Sequence, residues 1–273
     1  MPAPKRTVTK TERLLASAYR ERPMELEQSS LSIVTIFRFG DGKELNKTLK
    51  SIEMQYRHPD ELILVLSNCQ RIVPDTRNIN ACVKIFRDLD RGIYDAMNIG
   101  LNCASGTHVY FLNGGDVFTD CHSMSRIMQG ISNYPTKALI FQTAQVFAEL
   151  QFLRPKKNEC AKANFSPPHQ GFIAPVSHVS ELRFQQDKFP IAADSHWMKE
   201  VLARSGFVFE QEVICEFALG GVSNNPSLQT VKIRFREAGF ARAVKEIVKF
   251  VLKRLLGARL YYRLLLSEGF WGK

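Results

Sequence analysis

Short apolar runs alternate with amphipathic stretches from residue 31 onward. Leu31-Ser32-Ile33-Val34-Thr35-Ile36-Phe37 has the pattern of a buried strand, and Asp41-Gly42-Lys43-Glu44 after it reads as a helix N-cap with Glu three residues on. Leu45, Leu49 and Ile52 then carry a helix toward Pro59. Residues 61–66 and 81–86 predict a second and a third strand, 93–101 a helix opened by Gly92, and 107–112 a fourth strand. This alternation has the spacing of βαβ units, so it predicts an α/β fold with a mixed, mostly parallel sheet flanked by helices.

The second half is less regular. Residues 137–153 read as further strands, partly antiparallel, and a loop with Pro155, Pro167 and Pro168 leads to His169-Gln170-Gly171 and a short strand at 172–174. Ile191-Ala192-Ala193-Asp194 opens a helix running through Leu202, and 207–217 is strand-like. Near the end, Val244, Ile247, Val248, Val251, Leu252, Leu255 and Leu256 recur at helical spacing. Lys245, Lys249, Lys253 and Arg254 lie on the other side, the signature of an amphipathic basic helix. The expected organisation is a polar extension (1–30), an α/β domain (31–225) and a basic helical tail (226–273).

Composition changes this picture in three respects. With 273 residues and 45% hydrophobic content the chain has ample material for a core. The formal charge of +10 is unevenly placed: residues 232–263 hold ten Lys or Arg against Glu237 and Glu246, a net of +8, so the rest is close to neutral. The six cysteines have neither a C-x-x-C pair nor zinc-finger spacing and are read as free thiols in a reducing compartment. Lys5, Arg6, Lys10 and Arg13 have no apolar run behind them, unlike a secretory signal, and no segment reaches the ~18 uninterrupted apolar residues of a spanning helix. A cytoplasmic location is expected.

The densest chemistry lies in Asp88-Leu89-Asp90-Arg91-Gly92-Ile93-Tyr94-Asp95-Ala96-Met97-Asn98-Ile99-Gly100 and in Val109-Tyr110-Phe111-Leu112-Asn113-Gly114-Gly115-Asp116. Asp88, Asp90 and Asp95 surround a glycine turn, and an apolar strand ends in Asn113 and Asp116. Strand ends that open into Gly and Asp are where open α/β sheets bind ligands, and an Asp there is suited to a divalent cation, which in turn holds a diphosphate.

These residues resemble family 2 glycosyltransferases of the GT-A fold, a Rossmann-like fold, in particular colanic-acid-type, exopolysaccharide and O-antigen biosynthesis transferases. The matching elements run in order over about 31–225: Ser32-Ile33-Val34-Thr35-Ile36, the helix 45–55, Glu61-Leu62-Ile63-Leu64-Val65, the run from Asp90 to Gly100, Phe111-Leu112-Asn113-Gly114-Gly115-Asp116, His169-Gln170, Ala193-Asp194, and Glu216-Phe217-Ala218-Leu219-Gly220-Gly221-Val222-Ser223. G-I-Y-D-A-M-N followed by L-N-x-G-D is the specific part. One departure stands out. After the second strand the family usually carries V-D-G-G-S, whose Asp contacts the donor's base or ribose, and here Val65-Leu66-Ser67-Asn68-Cys69 puts Leu66 in that place.

A nucleotide sugar whose anomeric C–O bond breaks leaves growing negative charge on a nucleoside diphosphate, which something cationic must meet. The resemblance implies Mg2+ or Mn2+ at Asn113-Gly114-Gly115-Asp116, with Asp116 the single direct carboxylate ligand and water and diphosphate completing the shell. It also implies donor contacts from Thr35, Asp90, Tyr94, Asp95, Asn98 and Asn113, acceptor contacts from His169 and Gln170, and Asp194 as the base that takes the acceptor's hydroxyl proton. With one base and no second carboxylate placed as a nucleophile, direct displacement with inversion is the expected outcome. The residues alone leave other readings open: Asp90 or Asp194 as helix caps, Tyr94 as filler of a sheet–helix interface or a ring stacked on the ligand, His169 as a structural histidine.

For the tail, apolar residues beside Lys and Arg fit burial in an anionic membrane surface through residues 232–263, extended by Leu260, Tyr261, Tyr262, Leu264, Leu265, Leu266, Phe270 and Trp271. A basic helix packed on the domain is the alternative. No nucleic-acid partner is expected, because aromatic readers are sparse among the charges. The expected whole is an inverting transferase, peripheral on the inner face of the cytoplasmic membrane. It moves a hexosyl or N-acetylhexosaminyl group from a nucleotide sugar to a lipid-linked glycan in cell-surface polysaccharide biosynthesis. Leu66 and the lone carboxylate Asp116 motivate a second reading, a non-catalytic nucleotide-sugar-binding or scaffold subunit of an assembly complex.

Overall fold

Residues 29–69, 71–162, 165–219 and 227–266 are described by the computed structural model. The expected extension up to residue 28 and the resemblance at Gly220-Gly221-Val222-Ser223 lie outside them, as do Phe270 and Trp271. Nine strands and five main helices follow one another: β1 (Leu31–Arg38), α1 (Lys43–Glu53), β2 (Glu61–Ser67), β3 (Cys82–Arg87), α2 (Ile93–Cys103), β4 (His108–Phe111), β5 (Val117–Phe118), α3 (Ser123–Asn133), β6 (Ala138–Phe147), β7 (Leu150–Arg154), β8 (Phe172–Pro175), α4 (Ala193–Ser205), β9 (Phe207–Ala218) and α5 (Leu228–Leu266).

The strands join one sheet in the order β3-β2-β1-β4-β8-β6-β9-β5, with β7 paired to β6. From β3 to β4 all pairing is parallel. Beyond β4 the sheet is mixed: β8 runs antiparallel to both β4 and β6, β9 runs parallel to β6, and β5 and β7 pair antiparallel. The expected α/β class and mixed sheet are what the chain adopts.

Side-chain alternation splits the core into two layers. Leu31, Ile33 and Phe37 of β1 join Leu62, Leu64 and Leu66 of β2 against α1 and α3. Val34 and Ile36, with Ile63 and Val65, pack instead with Tyr94, Met97, Trp197 and Val201 of α2 and α4. Leu66, standing where the family's Asp is usual, is buried in the first layer and serves packing.

Two local expectations change. Asp41 does not cap α1; Gly42 holds the N-cap position, and Asp41 Oδ1 accepts only the Lys43 amide at 3.1 Å, because the turn enters the helix one residue later. Helix α3 and the two-residue β5 are additional to the elements expected from the sequence. Helix α5 spans Leu228–Leu266 in the tail, and its apolar positions Val244, Ile247, Val248, Val251 and Leu255 are exposed. What anchors its far end is Tyr261 and Tyr262 against Phe217, Phe147 and Phe152. All six cysteines are free thiols.

Candidate active site

The carboxyl ends of the parallel strands are where an open α/β sheet receives ligands. Here three consecutive strands each end in a non-glycine residue in the left-handed region: Phe39 after β1 (φ 68), Asn68 after β2 (φ 55) and Asp88 after β3 (φ 49). Such conformations cost free energy and collect at ligand sites. Hydrogen bonds hold them: Phe39 N–H to Ser67 O at 3.2 Å, Asp88 N–H to Leu66 O at 2.9 Å, and Asn68 N–H to Asp88 Oδ1 at 2.8 Å.

Beside them the chain leaves β4 through Asn113-Gly114-Gly115-Asp116. Gly114 N–H continues the ladder to Ile36 O at 2.9 Å, and a Cβ on Gly114 would lie 2.6 Å from the Phe37 ring. Gly115 turns the chain at φ 103. Thr48 of α1 holds this turn: its hydroxyl donates to Asp116 O at 2.8 Å and accepts the Gly115 N–H at 2.9 Å. The Asn113 N–H meets Asp116 Oδ2 at 3.2 Å. Burial lifts the Asp116 carboxyl to about 6, against the lowering influence of His169, the Asn113 amide and Gln170.

Residues 113 and 169 are brought together across the sheet. Tyr110 of β4 donates its hydroxyl to Gln170 O at 2.7 Å, and Gly171 sits where a Cβ would be 2.4 Å from Phe141 O, which fixes the His169–Gly171 turn. His169 Nε2 then lies 3.0 Å from Asn113 Nδ2, while Nδ1 lies 3.7 Å from Asp194 Oδ2. The latter is an ion-pair distance, too long for a hydrogen bond. Asp194 Oδ1 accepts the Ser195 N–H at 2.8 Å and lies 3.2 Å from the Tyr94 hydroxyl, which also reaches Ile191 O at 2.8 Å. Burial pushes the Asp194 carboxyl up, but His169, the Ser195 amide and Tyr94 outweigh it and hold it below the ordinary aspartate value, so it is ionised at neutral pH. The His169 and Asp194 side chains are 21% and 22% exposed, open enough for a ligand to touch.

The other candidates lie at varying depth. The Asp90 side chain is 0% exposed and sits 3.0 Å from Arg38 Nε; burial raises its carboxyl despite that cation, and neither oxygen has an aligned hydrogen bond. It does not cap α2, which has no side-chain cap bond. Asp95 accepts the Arg91 N–H at 2.9 Å and so supports the start of α2. Asn98 exchanges two hydrogen bonds with the Phe184 backbone at 3.0 and 2.9 Å. Tyr94 is buried and stacked on Phe184, and both Asp194 and burial raise its hydroxyl above the ordinary tyrosine value, burial most. Thr35 is fully buried, and its hydroxyl, like Ser67 Oγ and Asn113 Oδ1, has no hydrogen-bond partner among the described residues. Sequence reasoning passed over Arg38, Thr48 and Tyr110. Thr48 carried a usable signal, a hydroxyl on the apolar face of an amphipathic helix.

A divalent cation asks for hard oxygen donors. Asp116 provides one carboxylate and Asn113 Oδ1 an unpartnered buried carbonyl oxygen, while no group of three His, Cys, Asp or Glu that would hold an ion exists among the described residues. That pair fits an ion which draws the rest of its shell from water and a diphosphate. A cavity of about 540 Å3 lies at the opposite, amino end of the strands, near Lys84, Cys103, His108 and Arg183. Its Lys84 is paired with Glu61, and burial lowers His108 to about 4, so it lacks the convergent groups seen here.

No family model matches the chain. It is 33% identical over 98 residues to the PGL/p-HBAD biosynthesis glycosyltransferases of Mycobacterium bovis and Mycobacterium tuberculosis. That similarity spans 34% of this chain and 38% of theirs, well under half of the relatives' length. Among solved structures, S. aureus TarS 1-349 in complex with UDP superposes with a TM-score of 0.57 at 13% identity, over 88% of this chain and 75% of that one. The mannosyltransferase PcManGT of Pyrobaculum calidifontis, in complex with GDP-Man and Mn2+, gives 0.55 at 15% identity over 88% and 71%. The likeness to these structures shows that the chain shares the fold of glycosyltransferases.

Proposed function

We propose that the chain is an inverting glycosyltransferase, with its catalytic unit over 31–225 and a membrane-facing tail over 226–273. One observation carries the reading: His169 stands between Asn113, beside Asp116, and Asp194, within 3.0 and 3.7 Å, so the proposed cation-binding pair and an ionised, partly exposed carboxylate lie side by side. The mycobacterial relatives are named as glycosyltransferases, and structural neighbours hold UDP, UDP-GlcNAc or GDP-Man with Mn2+, which supports a nucleotide-sugar donor.

In this reading Asn113 and Asp116 would hold Mg2+ or Mn2+, which when bound would supply positive charge for the departing diphosphate. Asp194 takes the proton of the acceptor hydroxyl, and His169 and Gln170 orient that acceptor. Ser67, a buried hydroxyl without a partner at the end of β2, is suited to the donor nucleotide, and Thr35, likewise buried and without a partner, lies deeper, within β1. Arg38 and Asp90 act together beneath the donor. Attack opposite the leaving diphosphate, with no carboxylate intermediate, inverts the anomeric centre. A hexosyl or N-acetylhexosaminyl donor, a lipid-linked glycan acceptor, polysaccharide biosynthesis and the inner membrane face complete the proposal.

The test is a panel of UDP-, GDP- and dTDP-sugars, read by thermal stabilisation and by turnover with Mn2+ or with a chelator. Asp194→Asn is expected to bind the donor as the natural chain does and to lose transfer by about 100-fold or more. Near-normal turnover in that variant removes Asp194 from the mechanism. Donor binding without any turnover in the natural chain would instead favour a nucleotide-sugar-binding scaffold, the reading to which buried Leu66 lends weight.

A further inference from the structure

Helix α4 carries the proposed base in its first turn, where Asp194 Oδ1 accepts the Ser195 N–H, but its N-cap position has no acceptor of its own. Ala192 occupies the N-cap position and offers no side-chain acceptor. The acceptor comes from α5. Glu237 Oε1 accepts the backbone N–H groups of Ile191 and Ala192 at 2.7 and 3.2 Å, and Glu237 Oε2 accepts from Arg234 Nη1 at 2.9 Å. The Glu237 side chain is 2% exposed, so water does not compete for these charge-assisted bonds. A carboxylate at a helix N-terminus also has the sign the helix dipole favours.

On the opposite side of the same peptide, the Tyr94 hydroxyl reaches Ile191 O at 2.8 Å. Ile191 is therefore gripped at its N–H by α5 and at its C=O by α2, three residues before Asp194. Arg234 is itself 14% exposed, so the whole clamp is enclosed.

We propose that Glu237 is a positioning residue for Asp194, reaching from the C-terminal helix to set the backbone that aims the Asp194 carboxylate at His169 and the acceptor. The inference rests on Asp194 being the base. It makes turnover depend on how α5 seats against the α/β domain. Misplacing a catalytic group by about 1 Å costs about 100-fold in rate, so removing the clamp is expected to act on turnover.

The experiment uses the full chain with Glu237→Ala, Glu237→Asp and Glu237→Gln, assayed with whichever UDP-, GDP- or dTDP-sugar the natural chain turns over with Mn2+. Side-chain 15N NMR of His169, assigned by its loss in His169→Gln, reports the neighbouring carboxylate without turnover. Glu237→Ala is expected to lower kcat by about 30- to 100-fold, to leave the donor KM within about threefold and to shift the His169 signals. Glu237→Gln keeps the acceptor oxygen and is expected to restore most of kcat. Glu237→Asp keeps the charge but falls one methylene short, so it folds and still loses about tenfold. Folded Glu237→Ala or Glu237→Asp with wild-type kcat and unmoved His169 signals overturns the inference. If Asp194→Asn keeps its turnover while Glu237→Ala loses it, the base assignment fails and not the clamp.

Discussion

Thr48 lies three residues after Leu45 and four before Ile52, in the middle of the buried face of α1, where a hydroxyl is tolerated only with a partner. Its hydroxyl accepts the Gly115 N–H and donates to the Asp116 C=O, with Asn113 O also within 3.2 Å, and so holds the turn that presents the Asp116 carboxylate. Thr48→Val preserves shape and removes both bonds, leaving a buried N–H and C=O unsatisfied at a cost of about 1–3 kcal/mol. The expected result is a lower urea midpoint together with a smaller thermal shift on adding nucleotide sugar and Mn2+. Thr48→Ser restores both. A loss of stability with donor binding intact would mean that the turn is braced but not used. At this scale the sequence was legible where chemistry is local. Asn113, Asp116, His169, Gln170 and Asp194 were all named, and they converge. What no local pattern revealed is which of them is reachable: Asp90 carries as much motif as Asp116 yet is sealed under Arg38, because burial depends on contacts 52 residues away, between positions 38 and 90.

Elements were legible in proportion to how much of their pattern is apolar periodicity. β1, β2 and α2 have it. α3 is the exception: Met124, Ile127, Met128 and Ile131 stand at i, i+3, i+4 and i+7, but three Ser, a Gly and an Asn in its 11 residues, SMSRIMQGISN, argue by composition against the helix that this periodicity marks. The order of the strands depends on tertiary pairing and was not readable. Part of what fixes that order is Glu61, buried at the start of β2. It accepts Ser32 Oγ of β1 at 2.6 Å and the Ser105 amide and hydroxyl at 2.9 and 2.8 Å, and it pairs with Lys84 of β3. Burial raises its carboxyl, but Lys84, Ser32 and Ser105 outweigh that and hold it below the ordinary 4.5. A group whose pKa falls on folding adds stability above its unfolded value and loses it as pH drops through the folded one. Urea unfolding is therefore expected to weaken progressively below pH 4.5, the unfolded value. Glu61→Gln, which cannot titrate, lowers stability at pH 7 and flattens the acid dependence contributed by this site. An unchanged acid slope would assign the loss to other carboxylates.

For the whole molecule, α5 is the element that does two things at once. Near its start Glu237 enters the α/β domain, and near its end Tyr261 and Tyr262 do. Between these anchors Phe240, Val244, Ile247, Val248, Val251 and Leu255 stand at i, i+4, i+7, i+8, i+11 and i+15, one stripe, with Phe240 and Leu255 75% and 76% exposed. Exposed Lys245 and Arg254 flank it. Among the described residues no helix is apolar enough to cross a bilayer, so a stripe of this kind suits burial along a surface. Of the chain's +10 charge, +8 lies in residues 232–263, so under the proposed membrane reading the lipid would be anionic. The full chain is expected to sediment with phosphatidylglycerol-containing vesicles and not with phosphatidylcholine alone, less so as salt rises. Ile247→Glu with Val251→Glu should release it without lowering turnover of a soluble donor, since neither residue touches Glu237 or the cleft. Equal sedimentation of that variant, or equal binding to neutral vesicles, would move the attachment elsewhere or make it non-electrostatic. Binding that raises turnover in the natural chain but not in Glu237→Ala would tie the two roles of α5 together, with the membrane seating the helix and the helix seating the base.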